Sequence, residues 1–232
     1  MKKQKPISQP TRRPPVQARS EASRAKILAA ARKAFAENGY DGTNVRDIAA
    51  DIGMTHTLIR YHFGSKELLW KDVVRDMYAR LDAALSPDVI GAMDVSTRDG
   101  LRKFLRHYIR YCAEHPEQAR IMIAESQSGS ERLEWMVEYI RKSHRALAPI
   151  FRGMMEDGLL PEVWLVSFFY IISTVCQMPF VLSNTIETLY GVDMQSDAAI
   201  EAHTEAVLAL LLREPAGQPS AWPSLPDWVG KR

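Results

Sequence analysis

The stretch from Thr43 to Phe63, TNVRDIAADIGMTHTLIRYHF, constrains the fold more than any other part of the chain. Val45, Ile48, Ala49 and Ile52 recur at three- and four-residue steps, which predicts a short helix capped by Thr43. Thr55 is placed to cap a second helix running to about His62. Two such helices can cross steeply only if a small residue lies where they touch and the turn between them reaches positive φ. Ala49 and Gly53 supply both. Ile48, Ile52, Met54 and Ile59 fall on the inner side of the pair. The outer face of the second helix then presents Thr55, His56, Thr57, Arg60 and Tyr61. These groups have the hydrogen-bonding chemistry to enter a DNA major groove, and Arg60 could be bidentate to guanine. A solvated helical hairpin satisfies the same spacing, so the neighbouring residues must decide.

Charge points the same way. Residues 1–66 hold 13 basic and 5 acidic side chains, a net +8, whereas the remainder carries −6. A basic N-terminal third on an acidic body suits a module that faces nucleic acid. Six of those basic residues lie in the first twenty, among four prolines, so part of the excess belongs to an arm with no core-forming pattern.

The flanks sharpen the reading. Phe35, Gly39 and Tyr40 precede Thr43, and Tyr61-His62-Phe63-Gly64-Ser65-Lys66-Glu67-Leu68-Leu69 follows. Together with Ile48, Ala49 and Gly53, these residues resemble the tetracycline-repressor (TetR) family across residues 20–75. The resemblance implies an all-α chain: an N-terminal three-helix helix-turn-helix head at 20–65 and a larger helical body at 66–213 that binds a ligand and dimerises. A basic arm (1–19) and a tail with four prolines and two tryptophans (214–232) flank them. It implies sequence-specific binding to a palindromic double-stranded DNA operator, repression, and release by a small-molecule effector. An effector-independent or architectural DNA-binding protein is the alternative. The expected DNA contacts are Thr43, Arg46, Thr55, His56, Thr57, Arg60, Tyr61, His62 and Lys66. Many family members carry Gly-Thr-Leu-Tyr where this chain has Thr57-Leu58-Ile59-Arg60, so its base contacts cannot be copied from another operator.

Beyond the head, a long helix with Leu68, Leu69, Val73, Met77, Leu81 and Leu85 is expected from Ser65, then a connection from Pro87 to Ser96. Helical patterns resume at 97–114, 117–127, 131–157, 161–188 and 197–213. The resemblance implies that the middle helices enclose the effector. Arg120, Trp135, Tyr139, Trp164, Phe168, Tyr170 and Gln177 are the candidate lining residues, in a mainly apolar pocket. The last two helices are expected to pair protomers, through Ile200, Val207, Leu208, Leu211 and Leu212 and the uncharged run Val163–Ile186. That run is long enough to span a bilayer, but Gln177, Pro179 and Asn184 interrupt it and no Lys or Arg flanks it. The expectation is a cytoplasmic protein with no membrane span. Cys112 and Cys176 form no CxxC pair, and Cys112-x-x-His115 is at most half a metal site. With no phosphate loop and no nucleophile elbow, neither an enzyme, a cofactor nor a metal is expected.

Overall fold

The computed structural model describes residues 16–212. The expectations for the tail, and for the arm up to residue 15, lie outside the described residues. These form eleven helices and no strand: α1 (Val16–Gly42), α2 (Val45–Asp51), α3 (His56–Phe63), α4 (Lys66–Ala84), α5 (Pro87–Met93), α6 (Arg98–Glu114), α7 (Glu117–Ser128), α8 (Glu131–Glu156), α9 (Leu165–Val181), α10 (Ser183–Tyr190) and α11 (Asp197–Leu212).

Three boundaries differ from the sequence reading. Helix α1 starts at Val16, ahead of the residue 20 expected for the start of the head, and leaves the helical conformation at Gly39 (φ 66°, ψ 179°). The connection after Pro87 contains α5. Ser86 caps it, its Oγ accepting from the Val89 N–H at 3.4 Å, and Pro87 sits in the first turn, where a missing N–H costs nothing. The expected helix at 161–188 is two helices, α9 and α10, bent by 62°. Pro179 has no N–H for the carbonyl of Val175, and a ring nitrogen of His203 lies 2.8 Å from that oxygen instead. The Arg120 guanidinium donates to the last carbonyls of α9, Phe180 at 3.5 Å and Val181 at 3.3 Å. The break is thus satisfied by two side chains from other helices. No single described helix is long and apolar enough to cross a membrane, although the bent pair together has the length and composition.

Two apolar clusters hold the chain together. One lies in the body, built from α6, α8, α9 and α11 around Phe104, Leu105, Phe151, Phe168, Cys176 and Phe180. The other begins in the head at Ile27, Phe35, Ile48 and Ile59, continues through Leu69, Trp70 and Val73 of α4, and ends at Ile121 of α7 and Met136 of α8. Head and body therefore share a core, and the division at 65/66 does not interrupt it. Helix α1 packs along both α4 and α7.

Helix α11 corrects the expected pairing surface. Ile200, Val207, Leu208 and Leu212 are buried within the protomer's own core, and so is Phe169 of α9. The large apolar side chains that remain exposed in this part of the body are Val163, Trp164, Val166, Tyr170 and Ile171 at the start of and along α9, Leu182 and Leu189 at α10, and Leu210 of α11.

Candidate functional site

The head is built around its two turns. Gly53 has φ +65°, and the next N–H, of Met54, donates to the carbonyl of Ala49 at 2.8 Å, folding α3 back across α2. Ile48, Ala49, Ile59 and Phe63 are buried beneath, as the spacing requires. Thr55 caps α3, its hydroxyl oxygen accepting from the Leu58 N–H at 3.3 Å. Ser65 caps α4 in the same way, accepting from the Leu68 N–H at 3.1 Å. The first residues of α2 and α4 line one side of the head, and the N–H groups at a helix start favour a phosphate.

On that side Arg46, His56, Arg60 and Lys66 line one open concavity, with Asn44 and Ser65 at its edges. Thr57 and Tyr61 stand clear of the head on α3, Tyr61 at 81% exposure. His62 is half-buried, its ring 5.3 Å from that of Tyr61. Lys66 is anchored by the Tyr40 ring 4.5 Å from its Nζ, so its charge is held at the start of α4. Leu58 is half-buried.

Thr43 requires a correction. Its side chain is 4% exposed and its hydroxyl donates to the carbonyls of Gly39 (2.7 Å) and Ala34 (3.1 Å). The residue that caps α2 is Asn44, whose Oδ1 accepts from the Arg46 N–H at 2.9 Å. Thr43 ties the end of α1 to the start of α2, and its hydroxyl is not free for a phosphate.

Arg132, on the first turn of α8, is a residue the sequence did not reveal. Its guanidinium lies 3.8 Å from the Tyr40 ring centre, so the body reaches the edge of the head. The Glu125 carboxylate, 2% exposed, accepts from Arg132 Nε at 3.1 Å and from the Ser130 hydroxyl at 2.9 Å. Ninety-two residues separate Arg132 from Tyr40 in the chain, and no local pattern links them.

Inside the body, a cavity of about 90 Å³ lies between α4, α6, α7, α8 and α9. Leu81, Leu85, Phe104, Met122, Ile140, Leu147, Phe151, Phe169 and Ile172 make its apolar wall. Tyr78, Tyr108, Gln118, Ser143, His144, Ser173 and Gln177 bring its polar atoms. Of the seven candidate lining residues, Gln177 reaches it. Its Nε2 donates to the Tyr108 hydroxyl at 2.8 Å. Tyr139 stacks behind Tyr78 at 5.3 Å, and Trp135 lies against Trp70 at 5.8 Å, so both occupy the junction of head and body. Phe168 sits behind Phe151, with ring centres 5.0 Å apart. Trp164 and Tyr170 are exposed at 72% and 64%, and Arg120 is spent on the end of α9.

Burial sets the ionisation of the groups around this cavity. It pushes the Tyr108 phenol well up, and it lowers His144 below the usual histidine value. Both are therefore neutral near pH 7. Cys112 and Cys176 are buried thiols, Cys176 pushed up to about 12 by desolvation. Among the described residues, no group of three or more His, Cys, Asp or Glu is placed to hold a metal ion.

Two family models match the chain. Residues 27–73 match a family model described as bacterial regulatory proteins, tetR family. Residues 98–210 match one described as tetracyclin repressor-like, C-terminal domain. The chain is similar to the HTH-type transcriptional regulator RutR of Escherichia coli (strain K12), at 23% identity over 84% of this chain and 92% of that one. It is similar to the HTH-type transcriptional repressor AcnR of Corynebacterium efficiens at 41% identity over 64 residues, 28% of this chain and 34% of that one. Among solved structures, AibR in complex with isovaleryl coenzyme A and operator DNA shares the fold, with a TM-score of 0.63 at 17% identity, over 82% of this chain and 97% of that one. A helix-turn-helix head with its basic face outward, a helical body, and family models matching both parts make this chain a member of the TetR family of DNA-binding transcriptional regulators.

Proposed function

We propose that the chain acts as a homodimeric repressor of a palindromic operator in the cytoplasm, and that a small molecule in the body cavity releases it. No catalytic step is assigned to it. The observation that carries the reading is the convergence of Arg46, His56, Arg60 and Lys66 on one open face of α2, α3 and the start of α4. Arg60, His56, Thr57 and Thr55 would meet base edges, while Arg46, Lys66, Tyr61 and His62 would hold the phosphate backbone. A body without a cavity would favour an effector-independent regulator; the cavity supports a ligand-responsive one.

Helix α4 supports the coupling. It begins at Lys66 beside the expected phosphate, and its Tyr78 and Leu81, with Leu85 just beyond it, line the cavity. Nineteen residues span about 28 Å, so one rigid element touches both places. The ligand must bind better to the arrangement whose heads no longer fit both half-sites, and operator must weaken ligand binding by the same factor.

The test is operator affinity in three variants. Lys66→Ala should weaken binding to every sequence and flatten its salt dependence, because one fewer charge meets the phosphate backbone. Arg60→Ala and His56→Ala should instead change base preference, by about 1–3 kcal/mol for each base edge that is no longer read. Identical behaviour of all three variants and the parent chain would refute the assignment.

A further inference from the structure

We propose that the cavity takes an uncharged, mainly apolar small molecule with one hydrogen-bonding end, held by Gln118 and Gln177. The inference rests on the ligand-responsive reading above and adds the chemical class.

The cavity wall contains no Lys, Arg, Asp or Glu, and neither does the smaller pocket that adjoins it at Tyr108, Gln118 and Gln177. Charged side chains on the surrounding helices have partners of their own, although Glu117 pairs only through Oε1 and its Oε2 is buried without a hydrogen-bond partner. Arg120 donates to carbonyls at the end of α9, Arg106 pairs with Glu201 and Glu205, and Glu117 pairs with Arg32. His144 lies face to face with Phe169, ring centres 4.0 Å apart, and burial lowers its affinity for a proton. A carboxylate, a phosphate or an ammonium entering here would exchange its water for a wall with no counter-charge. A coenzyme A ester, of the kind in the AibR complex, carries phosphates that need cations this wall does not offer.

Tyr108, Tyr111, Gln118 and Gln177 cluster where α6, α7 and α9 meet, whereas Tyr78, Ser143, His144 and Ser173 lie elsewhere on the wall and the Ser143 hydroxyl donates to the Tyr139 carbonyl. The Tyr111 hydroxyl donates to Gln118 Oε1 at 3.2 Å, and Gln177 Nε2 donates to the Tyr108 hydroxyl at 2.8 Å. Each glutamine thus has one half of its amide engaged. The amide N–H of Gln118 and the carbonyl of Gln177 remain, one donor and one acceptor on two residues that line both the cavity and the smaller pocket. An amide, an alcohol or a ketone on a hydrocarbon body complements that pair. The volume of about 90 Å³ is smaller than the roughly 150 Å³ of an apolar cavity that holds benzene, which suits a molecule of about five heavy atoms.

The probes are two pairs matched in size, about six and about five heavy atoms: neutral isobutyramide against charged isobutyrate, and neutral isobutanol against charged isobutylammonium. Each is titrated into the full-length chain by ligand-observed NMR, with and without Ser173→Phe, a substitution that fills the cavity. The neutral pair should bind, Ser173→Phe should abolish that binding, and the charged pair should bind at least about a hundredfold more weakly. Gln118→Met, which keeps the volume, should weaken isobutyramide and keeps the test open if the Phe variant does not fold. Charged probes that compete at the cavity with equal strength would overturn the ligand class, as would neutral probes that do not bind or whose binding ignores both substitutions. The operator complex separates the two readings. Isobutyrate that fills the cavity and releases DNA contradicts the ligand class alone. Neutral probes that fill it and leave operator affinity unchanged contradict release by ligand alone.

Discussion

Thr43 illustrates how much a single side chain can hide. As a residue type before a short helix it reads as a cap and a phosphate contact. In the structure its hydroxyl is buried and donates to the carbonyls of Ala34 and Gly39. Thr43→Val keeps the shape and removes the donor, so the protein should lose about 1–2 kcal/mol of stability by chemical denaturation, with no change in base preference. A direct phosphate contact would instead show as a reduced salt slope at unchanged stability. The other head positions were legible because their signals are local. Gly53 has to reach φ +65° and Ile59 has to face inward, and both demands follow from spacing within a dozen residues. Arg132 was not legible, since its contact with Tyr40 depends on how α8 is placed against the head.

Among the elements, the junctions carry the information that periodicity missed. Helix α6 begins against the end of α5 with no room to spare. A Cβ at Gly100 would lie 1.9 Å from the carbonyl oxygen of Asp94. Gly100→Ala should therefore force the two helices apart and cost about 2 kcal/mol or more, read as a lowered melting temperature. The α7–α8 turn holds a buried carboxylate, and Glu125→Ala would leave Arg132 and Ser130 without their acceptor. Such a change costs about 3–5 kcal/mol. It should also weaken operator binding, because Arg132 would no longer be fixed over Tyr40. Unchanged stability and affinity would show that this turn does not position the head. The break between α9 and α10 was visible in Pro179 but read as one long helix, because the groups that satisfy it, His203 and Arg120, come from other helices.

At the scale of the whole molecule, the shared core is the feature that joins binding to release. The cluster that buries Ile59 of the recognition helix runs without a gap to Tyr78 and Leu81, which line the cavity. Interiors packed this closely pass a displacement on rather than absorb it. Pairing of protomers should use the face that the core leaves outside. Tyr170→Asp or Ile171→Asp should give monomers in sedimentation at micromolar concentration, with the helical content retained. Leu208→Asp, at 2% exposure, should unfold the protomer instead. A dimer unaffected by Tyr170→Asp and Ile171→Asp would place the interface elsewhere. The most direct measurement of the central claim is selection of bound sequences from random double-stranded DNA with the intact chain. Two recognition helices related by a two-fold axis predict an enriched inverted repeat whose half-site centres lie about 34–36 Å apart, or one DNA turn, with Arg60→Ala altering the preferred base within each half. Enrichment of no sequence, or of one that Arg60→Ala and His56→Ala leave unchanged, would contradict sequence-specific reading by α3.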